Sequence, residues 1–233
     1  MAEKQQSHGF DHATWDATYA GGGQINRYPA DGVVSLVHKL MRGRDRAKTK
    51  VLEIGCGAGN NAWFFAREGF AVTAVDGSDF CLEYARKRFA QDGLSGDFRQ
   101  LGFLDLDKLD GVYDLILDRQ ALSSNHWDDL VRIMPKISRL MHDDSIFLSF
   151  IFTADHPDKK YMGRCERGAT WLEPQAPVFG GVRWITLLDE AHLKELYAPF
   201  ALVDLYKRTL DSCMRDEPYL GDSEWIVICK KKS

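Results

Sequence analysis

Apolar and polar residues fall in alternating blocks along this chain. From Lys50 onward, short runs of β-branched and aromatic residues alternate with amphipathic stretches, the sequence form of a parallel sheet covered by helices. Val51–Ile54 is such a run and ends in glycines. Asn60–Glu68 follows with Ala62, Phe65 and Ala66 on one helical face, and Gly69 stops it. Phe70–Val75 predicts the second strand, closing on Asp76, and Asp79–Gln91 carries Leu82, Ala85, Phe89 and Ala90 at helical spacing. Gly96–Leu101 is a more polar third strand, Val112–Leu117 a fourth and Ser145–Phe152 a fifth. Trp127–Met141 sets Leu130, Ile133, Ile137 and Leu140 on one side of a helix, with a kink expected at Pro135.

After the fifth strand, Thr153–Arg183 is rich in Pro, Gly and charge and too long for an ordinary connection. It is either a functional flap or a disordered segment, and Tyr161, Trp171 and Phe179 favour a packed flap. Asp189 or Thr186 can cap a helix running through Tyr197, which Pro199 ends. Phe200–Leu210 and Trp225–Cys229 close the chain as an expected antiparallel pair. No repeat or linker interrupts this order. Residues 1–233 therefore read as a single domain: 1–49 an N-terminal lid with helices, 50–152 the core, 153–187 a flap insertion, and 188–233 a closing helix with antiparallel strands.

Composition narrows the class. Of 233 residues, 45% are apolar and 27% charged, as in ordinary globular domains, which excludes fibrous and disordered classes. The longest apolar stretch, Ser145–Phe152, is far short of the roughly 20 residues that cross a bilayer, and the N-terminus carries no apolar leader. A cytoplasmic location without membrane association is the expectation. Cys56, Cys81, Cys165, Cys213 and Cys229 form no C-x-x-C pair, so neither a disulfide framework nor a metal site is expected. A formal charge of −4 offers no general attraction to nucleic acid, and the basic run from Lys39 to Lys50 reads as a solvated rim.

The chemistry centres on Glu53-Ile-Gly-Cys-Gly-Ala-Gly-Asn60, at the carboxyl end of the first strand, where an open α/β sheet binds ligands. Its glycines allow a sharp turn and close approach of bare backbone to a cofactor. Asp76, twenty-one residues after Gly55, stands where a carboxylate takes both hydroxyls of a ribose. The pair reads as a nucleoside site. Gly57-Ala-Gly-Asn-Asn-Ala62 also matches the looser dinucleotide form G-x-G-x-x-A, and spacing alone does not separate the two. Charge does favour one: Glu53 would repel a pyrophosphate and suit a cationic group. No tyrosine has a lysine four residues on, as a short-chain dehydrogenase would need.

Val51–Asn60, Val75–Ser78, Leu101–Asp105 and Tyr113–Asp118, in that order and spacing, make the chain resemble the class I S-adenosylmethionine-dependent methyltransferases. The resemblance is close over about Lys50 to Phe152 and holds in outline elsewhere. It implies a Rossmann-like, doubly wound α/β fold with a seven-stranded, mostly parallel sheet, one antiparallel strand and helices on both faces. It implies S-adenosyl-L-methionine as cofactor, with Gly55, Cys56, Gly57 and Gly59 along its methionine and ribose and Glu53 beside its cationic end. Asp76 would hold the ribose, Gly102 and Phe103 would flank the adenine, and Asp118 would face the methionine amino group or the reacting centre. Trp15, Tyr19 and Asn26–Pro29 look like the lid of related small-molecule enzymes, with Arg27 on the cofactor carboxylate. Two departures stand out: Gly102 replaces the acidic residue frequent before the adenine aromatic, and Asp118-Arg-Gln-Ala121 is not the box of enzymes that methylate amino groups of bases.

Methyl transfer is an in-line displacement that needs alignment, exclusion of water and, for a hydroxyl acceptor, a base. Asp118, His126 and His156 are the candidates, with His126 favoured because imidazole titrates near neutrality. Each has a plainer role open: Asp118 as a helix cap, His126 and His156 as surface residues, Trp15 and Tyr19 as helix packing. The expected function is methyl transfer to a small-molecule or saccharide-like acceptor. A protein side-chain methyltransferase or a non-catalytic cofactor-binding partner protein are the alternatives; nucleic acid is the least supported acceptor. Oligomeric state and acceptor identity are left open.

Overall fold

The five apolar runs and the closing pair do form a single sheet. In the computed structural model, which describes residue 9, residues 11–214 and residues 222–232, the first five strands are β1 (Lys50–Ile54), β2 (Ala71–Asp76), β3 (Asp97–Gln100), β4 (Tyr113–Arg119) and β5 (Met141–Phe152). The flap contributes β6 (Cys165–Glu166), β7 (Thr170–Leu172) and β8 (Trp184–Thr186), and the chain closes with β9 (Phe200–Leu210) and β10 (Asp222–Lys231). The main sheet runs β3-β2-β1-β4-β5-β10-β9. β1 to β5 pair in parallel, and β10 is inserted antiparallel between β5 and β9. This is the seven-stranded, mostly parallel arrangement that the sequence led us to expect. Residues 1–8 and 10, in the segment that carries no expected apolar leader, lie outside the described residues.

The central strands are apolar throughout because both faces are covered. On one face, α2 (Asp31–Leu40), α3 (Asn60–Arg67) and α4 (Asp79–Gln91), which follow α1 (His12–Ala20), press Val33, Val37, Ala62, Phe65, Leu82 and Phe89 onto Val51, Leu115 and Leu117. On the other, α5 (Trp127–Arg139) and α6 (Glu190–Leu196) bury Leu130, Ile133, Ile137, Leu193 and Leu196 against Leu52, Ile116 and Phe147. α5 runs through Pro135 on its exposed side and stops at Arg139, so β5 begins at Met141, four residues earlier than its apolar run. Asp189, not Thr186, caps α6, accepting the His192 N–H at 2.8 Å; Thr186 is buried and donates to the Asn125 carbonyl at 2.7 Å.

One boundary matters for the site. β4 does not end at Leu117 but continues through Asp118 and Arg119, which pair with Ser149 and Phe150 of β5. Successive side chains of a strand point to opposite faces, so Asp118 and Arg119 face opposite sides of the sheet.

The flap is packed. Phe179, Met162, Ile185 and Leu187 form a small core with Phe152, and Trp171 is partly buried against it. Tyr161 instead stays largely exposed. Trp184 donates its indole N–H to the Ser124 carbonyl at 3.2 Å, which ties the flap to the segment after β4. No helix among the described residues is long and apolar enough to cross a membrane.

Candidate functional site

β1 ends at Ile54, and the chain turns at once. Gly55 and Cys56 donate their N–H groups to the Val75 carbonyl of β2 at 2.8 and 3.0 Å, which holds the turn against the neighbouring strand. Gly55 has φ +68, and a Cβ there would lie 2.2 Å from Ala121 Cβ and 2.9 Å from Phe103. At Gly57, φ is +50 and a Cβ would meet the Tyr19 hydroxyl at 2.8 Å. Only glycine satisfies both the left-handed backbone and this closeness. Gly59 caps α3, and a Cβ there would lie 2.8 Å from Ala85 of α4. Its hydrogen is therefore required by helix packing, and it does not line the cavity.

Asp76 ends β2 beside this turn. Its Oδ2 accepts the Gly57 N–H and its Oδ1 the Ser78 N–H, both at 2.9 Å. Burial raises its pKa, and these N–H groups oppose the rise. Glu53, 1% exposed on β1, accepts from Asn61 Nδ2 at 2.9 Å through Oε1, while Oε2 is buried without a hydrogen-bond partner. Burial pushes its carboxyl up to about 8. At neutral pH the proton is therefore largely retained, so Glu53 by its charge does not exclude a pyrophosphate. A cation beside it would favour the ionised form.

These groups open onto a cavity of about 510 Å³ that extends from Glu53, Asp76 and Phe103 to the flap residues Val178, Phe179 and Ile185. The lid closes one side. Trp15 and Tyr19 of α1 line it, their rings 6.1 Å apart, and Asp16 accepts a hydrogen bond from the Ser78 hydroxyl. Burial and the Asp76 charge both raise the pKa of the Tyr19 phenol, so it stays neutral. Asn60 Nδ2 donates to the Tyr28 carbonyl at 2.9 Å, and Asn61 Oδ1 accepts the Ala30 N–H at 3.0 Å. The two asparagines at the start of α3 therefore fasten the lid to the glycine turn.

The structure brings together Trp15, Glu53, Gly55, Cys56, Gly57, Asp76 and Phe103 on this cavity. It does not bring the others there. Asp118 is fully buried on the far face of β4: it accepts the Leu122 N–H at 3.0 Å and the Ser149 hydroxyl at 2.7 Å, and burial pushes its pKa up to about 7. It caps a turn and does not line the cavity. His126 is 2% exposed and caps α5, its Nδ1 accepting the Asp128 N–H at 3.2 Å, with Nε2 3.2 Å from Glu166 of the flap. It does not line the cavity, where the expected base would stand, and instead fastens flap to core. His156 likewise is buried and caps the turn Pro157–Tyr161. Arg27 is exposed, with its guanidinium 6.0 Å from the Tyr28 ring and its carbonyl tied to Arg88. Gly102 precedes the turn bearing Phe103 without lining the cavity.

Several further residues line the wall: Asn60 and Asn61, the lid residues Thr18 and Gln24, Arg119 at the end of β4, and Gln120, Ser124 and Asn125 after it. Asn61 carried no signal at all, since an asparagine in a first helical turn is unremarkable. Arg119 could have been found by extending β4 two residues and applying strand alternation.

A group carrying ribose hydroxyls and a cationic centre fits these residues. Gly55 and Gly57 line the cavity with bare backbone, Asp76 stands beside them on the same wall, and Glu53 Oε2 is buried without a hydrogen-bond partner. Comparison with known proteins agrees. Residues 51–144 match the family model described as "Methyltransferase domain". A ubiquinone biosynthesis O-methyltransferase of Actinobacillus pleuropneumoniae serotype 5b (strain L20) is 32% identical over 118 residues, covering 48% of this chain and 49% of that protein. The chain therefore spans about half the length of this curated relative. Among solved structures, a methyltransferase of Methanosarcina mazei described as SAM-dependent has a TM-score of 0.68 at 17% identity, covering 84% of this chain and 96% of its own. The 1,6-didemethyltoxoflavin-N1-methyltransferase of Burkholderia thailandensis, solved with 1,6-didemethyltoxoflavin and S-adenosylhomocysteine, gives 0.67 at 22% identity, covering 93% and 85%. At these identities the structures establish the fold.

Proposed function

We propose, from the match of residues 51–144 to a methyltransferase-domain model and from the fold shared with a SAM-dependent methyltransferase, that the protein transfers a methyl group from S-adenosyl-L-methionine to a small-molecule acceptor. The observation that carries this reading is the continuity of one cavity from the Gly57–Asp76 pair to the apolar wall of the flap. Such a cavity suits a cofactor at one end and a modest acceptor at the other. When bound, the cofactor supplies an electrophilic methyl group. Asp76 and the bare turn at Gly55 and Gly57 would hold its ribose and methionine, Glu53 would face its cationic end, and Phe103 would flank the adenine. Trp15 and Tyr19 exclude water from one side, and Phe152 and Phe179 from the other.

Proton removal has little machinery here. Asp31, on the cavity wall, has its pKa held low by the Gly32 N–H and Arg208, so it is a weak base. This favours an acceptor atom that is already nucleophilic at neutral pH. Isothermal titration with S-adenosylhomocysteine tests the first half of the proposal, and the absence of binding would remove it. Radiolabelled methyl transferred in a host lysate should then appear in the low-molecular-mass fraction. Label in polypeptide would support a protein side-chain methyltransferase instead, and binding without any transfer a non-catalytic partner.

A further inference from the structure

We infer that Arg119 reads a negative charge on the acceptor, which makes the acceptor a small apolar molecule bearing a carboxylate. This inference rests on the methyltransferase reading of the cavity.

Arg119 is the single cationic side chain lining the cavity among the described residues. β4 carries it on the face opposite Asp118, beside Phe150, whose ring lies 5.4 Å from the guanidinium. Phe152, two residues on along β5, begins the apolar wall that Phe179 and Ile185 continue. Charge and apolar surface therefore meet at the flap end of the cavity.

The guanidinium is held, but it is not neutralised. Its Nη1 lies 3.2 Å from Glu224 Oε2 as an ion pair, and both Nε and Nη1 are buried without a hydrogen-bond partner. Glu224, fully buried on β10, is already shared: Arg208 Nη2 lies 2.7 Å from Oε1, and Gln120 Nε2 donates to Oε2 at 2.9 Å. Two arginines thus face one buried carboxylate. The other counter-charge, Asp31, is 85% exposed in its side chain and pairs with Arg208, so solvent screens it. Gln120 has φ +65, an uncommon conformation for a residue other than glycine, and is held by its N–H to the Phe150 carbonyl at 2.8 Å. The chain leaving β4 is fixed in the geometry that presents Arg119. A planar carboxylate suits such a fork, and its apolar body would lie against Phe152 and Phe179.

The test uses the full chain saturated with S-adenosylhomocysteine and two probes of equal shape, benzoate and benzamide, titrated by saturation-transfer NMR. The expected result is that benzoate binds at least about tenfold more tightly. Arg119→Met should abolish that preference, and Arg119→Lys should retain part of it. Arg208→Met should leave it in place. Benzoate that fails to bind, benzamide that binds equally, or a preference surviving in Arg119→Met would overturn the inference. So would an Arg119→Met variant that loses about tenfold in S-adenosylhomocysteine affinity while keeping the preference, because Arg119 would then hold the cofactor carboxylate. Failure of the wild-type protein to bind S-adenosylhomocysteine would defeat the methyltransferase reading itself, a distinct outcome.

Discussion

The carboxylate of Asp76 holds the backbone N–H of Gly57, nineteen residues earlier in the chain, at 2.9 Å. The end of the second strand thereby shapes the turn that follows the first. Removing the carboxylate loosens the turn and deletes the acceptor proposed for the ribose. Asp76→Ala should weaken S-adenosylhomocysteine binding by about 1–3 kcal/mol, the scale of charge-assisted hydrogen bonds. Isothermal titration checks this, and unchanged affinity would contradict the ribose assignment.

Glu53 links stability to pH. An unfolded chain releases its proton near 4.5, whereas the folded one holds it to about 8, so between those values only the folded state carries the proton. Stability must then fall as pH rises through that window. Glu53→Gln should flatten the fall in melting temperature. A cationic ligand favours ionised Glu53, so cofactor binding should also expel a proton at pH 6–7. Titration in two buffers of different ionisation enthalpy reads that proton, and its persistence in Glu53→Gln would place its source elsewhere.

The two glycines of the turn should respond differently to a methyl group. In Gly55→Ala the new Cβ meets Ala121 Cβ at 2.2 Å in a left-handed backbone, which should cost about 2–4 kcal/mol of stability. In Gly57→Ala it meets the far end of the Tyr19 side chain, which can swing away. That variant should melt closer to wild type while losing lid closure and cofactor affinity. Equal thermal shifts would refute the distinction.

His126 offers a clean separation of two roles. As a helix cap it is replaceable: His126→Ala should lower stability by about 1 kcal/mol, and His126→Asn should restore it, since asparagine is a good N-cap. Turnover in the asparagine variant should stay within severalfold of wild type. A drop of about a hundredfold at unchanged melting temperature would reinstate the imidazole as a base.

What the sequence alone determined lies in local periodicity. The apolar runs and helical faces specified the order of strands and helices, because burial on one or two faces dictates which positions must be apolar. The glycines of Gly55–Gly59 and the acid at Asp76 were legible because a sharp turn beside a strand end leaves little chemical choice. Glu53 and Asp76, which line the cavity, lie within a residue of the ends of β1 and β2.

What only the tertiary structure decided is which way a side chain points once two elements meet. Asp118 and His126 occupy the right stretch of chain, yet two extra residues of β4 turn Asp118 toward Ser149, and docking of the flap turns His126 toward Glu166. The same two residues bring Arg119 to the cavity. A strand alternates with period two, so a small error in where it ends exchanges the groups that face a ligand with those that face the core. That end is set by hydrogen bonds to β1 and β5, partners distant in sequence, and no local pattern records them.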